Sequence, residues 1–399
     1  MQLPAQTNPS DFYKLISGAL LASDRAYGSI DAFFKSEFND YFTGAQWKSI
    51  FGVAPENRNG NYTQMIGTIN VPVMASYVAF DGEAPLISNT GFELTTKNMP
   101  RMKLAYNFNE KSARDGAYLL QNSGLPNYAP IFDSFLVDSQ NLLAGIHTKL
   151  SYTALQIEST GAYTSTAANN GGGIPGAYHF DFQVPATNKK AAGGWGVLGT
   201  KYAWSNTLAN PIGDLQDMVQ KADDLHIMNT SRAVFRMNKT TWNLFRNHAT
   251  VKAAVAIQIT MGGIDATNLA KFAVTDTQLN AYLSSLGLPP IEVVPWSGIQ
   301  QALNIATQKI EKTALIAFAD NTVLLRPAGN VGEVQWQAPT TMFATAANPM
   351  YITDNGMIGV QQEVFSARKA MQFTAEFTGI PVPTDVTSMM YLDVATAAS

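Results

Sequence analysis

Apolar spacing divides the chain into helical and extended stretches. Phe12, Leu15, Ile16, Ala19 and Leu20 follow a helical period behind the capping cluster Asn8-Pro9-Ser10-Asp11. A second short helix fits residues 30–38, and Trp47, Ile50 and Phe51 form a third apolar patch. Such short helices are not stable alone, so residues 1–51 read as an arm. Residues 52–106 carry no helical stripe. Asn59-Gly60-Asn61 is turn chemistry, residues 71–80 read as extended, and Asp81-Gly82-Glu83-Ala84-Pro85 breaks the run. Phe92-Glu93-Leu94-Thr95-Thr96-Lys97 alternates as a strand does. The pattern predicts a long two-stranded hairpin, marginal in water by itself and in need of a partner for its edges.

Helical character returns at residues 110–121, and Asn122-Ser123-Gly124-Leu125-Pro126 interrupts it. A longer helix is expected over residues 131–160. Its stripe is Leu143, Ile146, Leu150, Ala154 and Ile157, and Gly161 is its stop. Residues 161–210 are rich in Gly, Asn and Thr, with a strand expected at 178–184. Residues 211–335 read as a compact α/β unit. Asn210-Pro211 opens a helix carrying Leu215, Met218 and Val219. Residues 233–237 form a strand, Asn238 caps a helix over 240–248, and 251–259 is apolar but ambiguous in type. Thr275-Asp276-Thr277-Gln278 fits a capping box. Strands are expected at 291–294, 314–318 and 322–325. In the β-rich stretch 336–399, Asn355-Gly356 marks a hairpin turn between Tyr351-Ile352 and residues 358–364.

Composition sharpens this picture. Charged residues make up only 14% of the 399, against the usual ~25%. Asn, Thr, Ser, Gln and Gly take their place, and such a surface can be buried against neighbours without stranding ions. The net charge is −4 and the pI about 5.6, unlike a dedicated DNA-neutralising protein. With no cysteine, disulfides, thiolate catalysis and zinc ribbons are excluded, and cytoplasmic folding is expected. No signal peptide is read at the N-terminus, and no apolar run approaches the ~18 residues that span a bilayer.

Catalytic motifs are missing or out of context. Gly194-Trp195-Gly196-Val197-Leu198-Gly199 spells a dinucleotide fingerprint, but neither a buried strand before it nor a helical stripe after it is evident. As a phosphate loop it fails, because Thr200 precedes Lys201 where the reverse order is required. His147, His179, His226 and His248 show no metal-ligand spacing, and structural or surface roles are expected. Asp214, Asp217, Asp223 and Asp224 read as the solvated face of a helix. Trp195, Tyr202 and Trp204 beside Lys189, Lys190 and Lys201 offer only a weak single-stranded nucleic-acid platform. No cofactor or metal is expected.

The order of elements resembles the major capsid proteins of tailed bacteriophages, most closely the lambda-type group with the Hong Kong 97 (Johnson) fold. Three stretches carry the resemblance. Val71-Pro72-Val73 through Glu83-Ala84-Pro85 looks like the E-loop, and Asn210-Pro211-Ile212-Gly213-Asp214-Leu215 looks like the start of the axial domain. Residues 361–370, 377–385 and 389–394 look like the C-terminal peripheral segment with its closing strand. The resemblance implies an α+β chain. Its parts would be an N-terminal arm (1–51), E-loop hairpin (52–106), spine helix and peripheral domain (107–210), axial domain (211–335) and return to the peripheral domain (336–399). It implies a non-enzymatic shell subunit. Hexamers and pentamers would enclose double-stranded DNA in an icosahedral virion shell assembled in the bacterial cytoplasm. Scaffolding, portal and decoration proteins are the partners implied, with scaffolding as a separate protein. Tyr77, Phe80, Asp81, Glu83, Phe92 and Lys97 are the E-loop candidates for contact between subunits. Lysine–asparagine crosslinking is not expected, since Lys97 lies near the loop base. An encapsulin-like compartment of the same fold, or an α/β enzyme at 211–335, are the rival readings.

Overall fold

The computed structural model describes residues 45–67, 92–108, 129–170, 178–260, 272–295, 297–304, 309–340, 350–365 and 370–398. The helices expected at 12–20, 30–38 and 110–121, and the extended run at 71–80, lie outside the described residues. In chain order the strands and helices are β1 (Phe51–Val53), β2 (Asn61–Gly67), β3 (Phe92–Asn98), β4 (Arg101–Phe108), α1 (Ala129–Thr160), β5 (Ala162–Thr164), β6 (His179–Asp181), β7 (Lys189–Ala192) and α2 (Pro211–Asp224). They continue with β8 (Ala233–Asn238), α3 (Lys239–Asn247), α4 (Ala249–Thr260), α5 (Asp276–Ser285), β9 (Ile291–Val294), β10 (Ser297–Asn304), β11 (Lys309–Ile316), β12 (Thr322–Pro327) and β13 (Gly332–Gln337). The last are β14 (Met350–Thr353), β15 (Ile358–Phe365), β16 (Ala370–Pro383) and β17 (Met390–Ala397). The chain divides into two compact units. One is Met1–Tyr62, Thr96–Ser151 and Val334–Pro381; the other is Thr63–Thr95, Tyr152–Glu333 and Val382–Ser399.

The first unit is built on a sheet of order β1-β13-β16-β15-β14, with β4 also paired to β16. Phe373, Ala375 and Phe377 of β16 are buried, as the period of two requires. Between them Glu376, also buried, accepts from Arg101 Nη2 and lies 3.4 Å from Lys103 Nζ, both on β4. The Asn355-Gly356 signal holds: Asp354, Asn355 and Gly356 all take positive φ, and β14 pairs antiparallel with β15. Trp47, Ile50 and Phe51 are buried. Trp336 Nε1 donates to the Ala54 carbonyl at 2.7 Å, and Ala54 N donates to the Val334 carbonyl, which fastens β1 beside β13.

The second unit holds a five-stranded sheet of order β7-β17-β12-β8-β9. β17 runs parallel to β7, β8 runs parallel to β9, and the pairs β12–β17 and β12–β8 are antiparallel. Leu215 and Met218 of α2, Trp242 and Phe245 of α3, Val251 and Val255 of α4, and Leu279 and Leu283 of α5 share one core with β8, β12 and β17. Helix starts follow the residues expected of them. Asn210 accepts from Gly213 N, Asn238 accepts from Thr241 N at 2.8 Å, and the Thr275–Gln278 capping box is fully formed.

Several expectations are corrected. The ambiguous run 251–259 is helical, within α4. The strand expected at 178–184 is only His179–Asp181. Residues 314–316 end an eight-residue strand, β11, paired along its length with β10, which the apolar pattern did not reveal. The strand expected at 389–394 forms as β17, which pairs with β12 and with β7. Its Met390, Leu392 and Val394 belong to the same core as β8 and β12. β4 pairs with β16, and β2 pairs with β3.

Candidate assembly surface

Of the E-loop candidates, Tyr77, Phe80, Asp81 and Glu83 lie outside the described residues. Phe92 and Lys97 belong to β3, which pairs with β2 in a sheet of two strands, and Lys97 is exposed. Thr96, Lys97 and Asn98 are exposed in succession. On the paired strand Tyr62 and Gln64 are buried, and Gln64 Nε2 donates to the Phe182 carbonyl, so this end of the hairpin has one covered face beside the exposed residues of β3.

β10 and β11 lie in the second unit. They pair from Ser297↔Ile316 to Asn304↔Lys309 and, among the described residues, form a sheet with no third strand. Lys312, Thr313 and Ala314 are exposed in succession. Ile299 is 66% exposed and Ile316 50%. Gly298 is buried and its partner Leu315 half-buried, yet a two-stranded hairpin is marginal in water and presents open edges. The short β5–β6 pair differs, because its Tyr163 and Phe180 are buried and stacked.

The glycine-rich stretch 193–199 is a clamped loop. Asp214 accepts from Gly193 N and from Trp204 Nε1, each at 2.7 Å, and Asp217 accepts from Gly199 N at 2.7 Å. Asn210 Nδ2 donates to the Leu198 carbonyl. A Cβ on Gly196 would strike Asp217, and one on Gly199 would strike Asp214, so both positions need glycine. Burial pushes the Asp214 carboxyl up to about 6, against the two hydrogen bonds that favour its charged form, while the Asp217 charge adds to the rise. The solvated-face reading is therefore corrected for Asp214 and Asp217, which are buried, and holds for the exposed Asp223 and Asp224. Trp195 and Trp204 are core residues, which removes them from any stacking platform. At the loop tip Val197 is 93% exposed, flanked by exposed Leu198.

An ionic cluster lies inside the second unit. The fully buried Glu158 of α1 meets Arg326 Nε at 2.7 Å and Arg236 Nε at 2.8 Å through one oxygen. Arg236 also reaches Glu292 at 2.7 Å, and Tyr391 Oη donates to the Glu158 carbonyl. Burial raises the Glu158 carboxyl, and the two guanidiniums counter that rise. The strands β8, β9, β12 and β17 are thus tied to the end of α1. Sequence reading missed the cluster because its members lie far apart along the chain.

The histidines fall in structural or surface positions. His179 sits 2.8 Å from Thr164 Oγ1 on the exposed β5–β6 pair, and His226 is exposed at positive φ. His248 bridges Thr250 and the Asn206 carbonyl, and His147 is buried in the first unit. Among the described residues no three His, Asp or Glu side chains gather as a metal site, and no helix is long and apolar enough to cross a membrane.

No protein-family profile matches the sequence, and no curated protein matches it. Solved structures similar to it along most of its length include a phage-related protein from Bordetella bronchiseptica RB50, at 11% identity and a TM-score of 0.45. That similarity covers 90% of this chain and 94% of the other. The capsid structure of cyanophage P-SCSP1u is similar at 11% identity and a TM-score of 0.43, over 88% of each chain. The capsid of Myoviridae phage XM1 is similar at 11% identity and a TM-score of 0.42, over 86% of this chain and 88% of that one.

Proposed function

We propose that this chain is a major capsid protein of a tailed phage, a structural subunit and not an enzyme. The observation that carries the reading is the β10–β11 hairpin, two-stranded among the described residues, with Ile299 and Ile316 in solvent and Lys312, Thr313 and Ala314 exposed in succession. Other copies of the chain supply the cover this hairpin lacks. The low charge of the sequence supports the reading, because contacts between copies bury few ions. So does the order of arm, hairpin, long helix and α/β unit along the chain.

Copies close into hexamers and pentamers, and these into an icosahedral shell around double-stranded DNA. Each contact is weak, near ~4 kcal/mol, the millimolar range. Several such contacts per subunit, closed by symmetry, give a durable shell while misplaced subunits still dissociate. A net charge of −4 suits an inner wall that touches DNA without gripping it. Scaffolding, portal and decoration proteins are the further partners, and assembly takes place in the host cytoplasm.

The test is negative-stain electron microscopy of the chain expressed alone and with a scaffolding protein from the same genome. Closed shells or capsomer rings are expected. A uniform monomer under both conditions overturns the proposal, and shells that hold a protein cargo in place of DNA point to an encapsulin-like compartment.

A further inference from the structure

In the first unit the turn at 46–49 is held between α1 and the β14–β15 turn by five side chains. Trp47 Nε1 donates to His147 Nδ1 at 3.0 Å. An indole N–H can only donate, so Nδ1 must be bare and the ring's proton must sit on Nε2. Nε2 lies 3.4 Å from Asp354 Oδ2. Lys48 Nζ lies 3.6 Å from Asp354 Oδ1 and over the Trp47 ring. Trp47 N also donates to Ser151 Oγ, one turn further along α1. Trp47 is wholly buried and His147 nearly so, so no water can replace a lost bond without local opening.

We infer that His147 is an acid-sensitive pin: a proton on Nδ1 sets donor against donor at Trp47 and releases residues 45–53 from α1 and the β14–β15 turn. The inference stands apart from the shell reading, because it concerns one segment of a single subunit.

The sign follows from proton linkage. Burial, with the Lys48 charge adding, lowers the His147 imidazole from 6.5 to about 3 in the closed state. Opening returns it to its ordinary value. The open form therefore binds the extra proton, and opening grows as pH falls below about 6.5. Among the described residues, Lys48 and Asp354 are the charged groups that meet His147. Burial raises Asp354, with Lys48 opposing, so Asp354 favours the closed form as it takes up its own proton and offsets the histidine at the acid end. The histidine's effect is therefore read from pH 6.5 downward, before Asp354 takes up its proton.

Hydrogen–deuterium exchange of unassembled full-length subunits, corrected for intrinsic rates, reads the opening of residues 45–53, with β12 as the internal reference. In the parent protein the opening constant should rise about fivefold from pH 6.5 to 5.5 and approach tenfold per unit below that, while β12 stays unchanged. His147→Gln keeps an acceptor and a donor without titrating, and should flatten the slope below twofold per unit. His147→Asn also cannot titrate and should flatten it as well, which guards against a His147→Gln chain that does not fold. A parent segment indifferent to pH, or a folded variant that keeps the parent slope, overturns the inference.

Discussion

The five-stranded sheet and the β10–β11 hairpin belong to the same unit and are stabilised in opposite ways. Every residue of β8 is buried. It is flanked by strands on both sides, covered by capped helices and bonded through Arg236 to the interior Glu158. β10–β11 has one ladder, Ile299 and Ile316 in solvent, and three consecutive exposed residues on one strand. Among the described residues the sheet is flanked and covered by its own chain, and the hairpin pairs with no third strand. On the proposed function this is a division of labour, in which a self-sufficient body carries appendages that only neighbouring copies finish.

The contrast can be broken first at its strongest point. Glu158→Ala leaves the buried Arg326 without a carboxylate and Arg236 with Glu292 alone, and should cost about 3–5 kcal/mol, read as a lower denaturation midpoint of the unassembled subunit. Asp214→Ala comes next. It strands the Trp204 indole N–H and the Gly193 amide, at about 2–3 kcal/mol. It also removes a pH dependence. The folded-state carboxyl is raised from 3.8 to about 6, so its contribution to stability is full below about 3.8 and is lost as pH rises through about 6. Denaturation midpoints between pH 4 and 7 should therefore fall with pH more steeply in the parent than in the variant. Thr275→Ala removes one cap from α5 and should cost about 1 kcal/mol by the same measurement. The smallest change in folding stability, within about 0.5 kcal/mol, is expected for Ile299→Ser with Ile316→Ser, since both side chains already face water.

Legibility in the sequence follows the same division. Where one chain completes its own structure, the residues announce it. Asn238, Thr275 with Gln278, Asn210-Pro211 and Asn355-Gly356 mark caps and a turn whose chemistry is local. Leu143, Ile146 and Leu150 mark the buried stripe of α1. β10 gave no signal, because Ser297-Gly298-Ile299-Gln300-Gln301 does not alternate and sets one apolar residue among small and polar ones. Asp214 and Asp217 were misread for another reason. Acidic residues on a helix normally face water, and only the glycines of 193–199, which bring backbone amides against them, turn them inward. Those glycines carried the signal, since two of them admit no side chain at all. The Glu158 cluster offers no local cue of any kind.

The most direct test is sedimentation velocity of the parent and of the Ile299→Ser, Ile316→Ser variant side by side, each with a denaturation curve, under conditions in which the parent assembles. The account predicts capsomers or shells for the parent, mainly dissociated subunits for the variant, and superimposable denaturation curves for the unassembled chains. A parent that sediments as a monomer at every concentration, or a variant that assembles as the parent does, contradicts the claim that the exposed hairpin is completed by another copy.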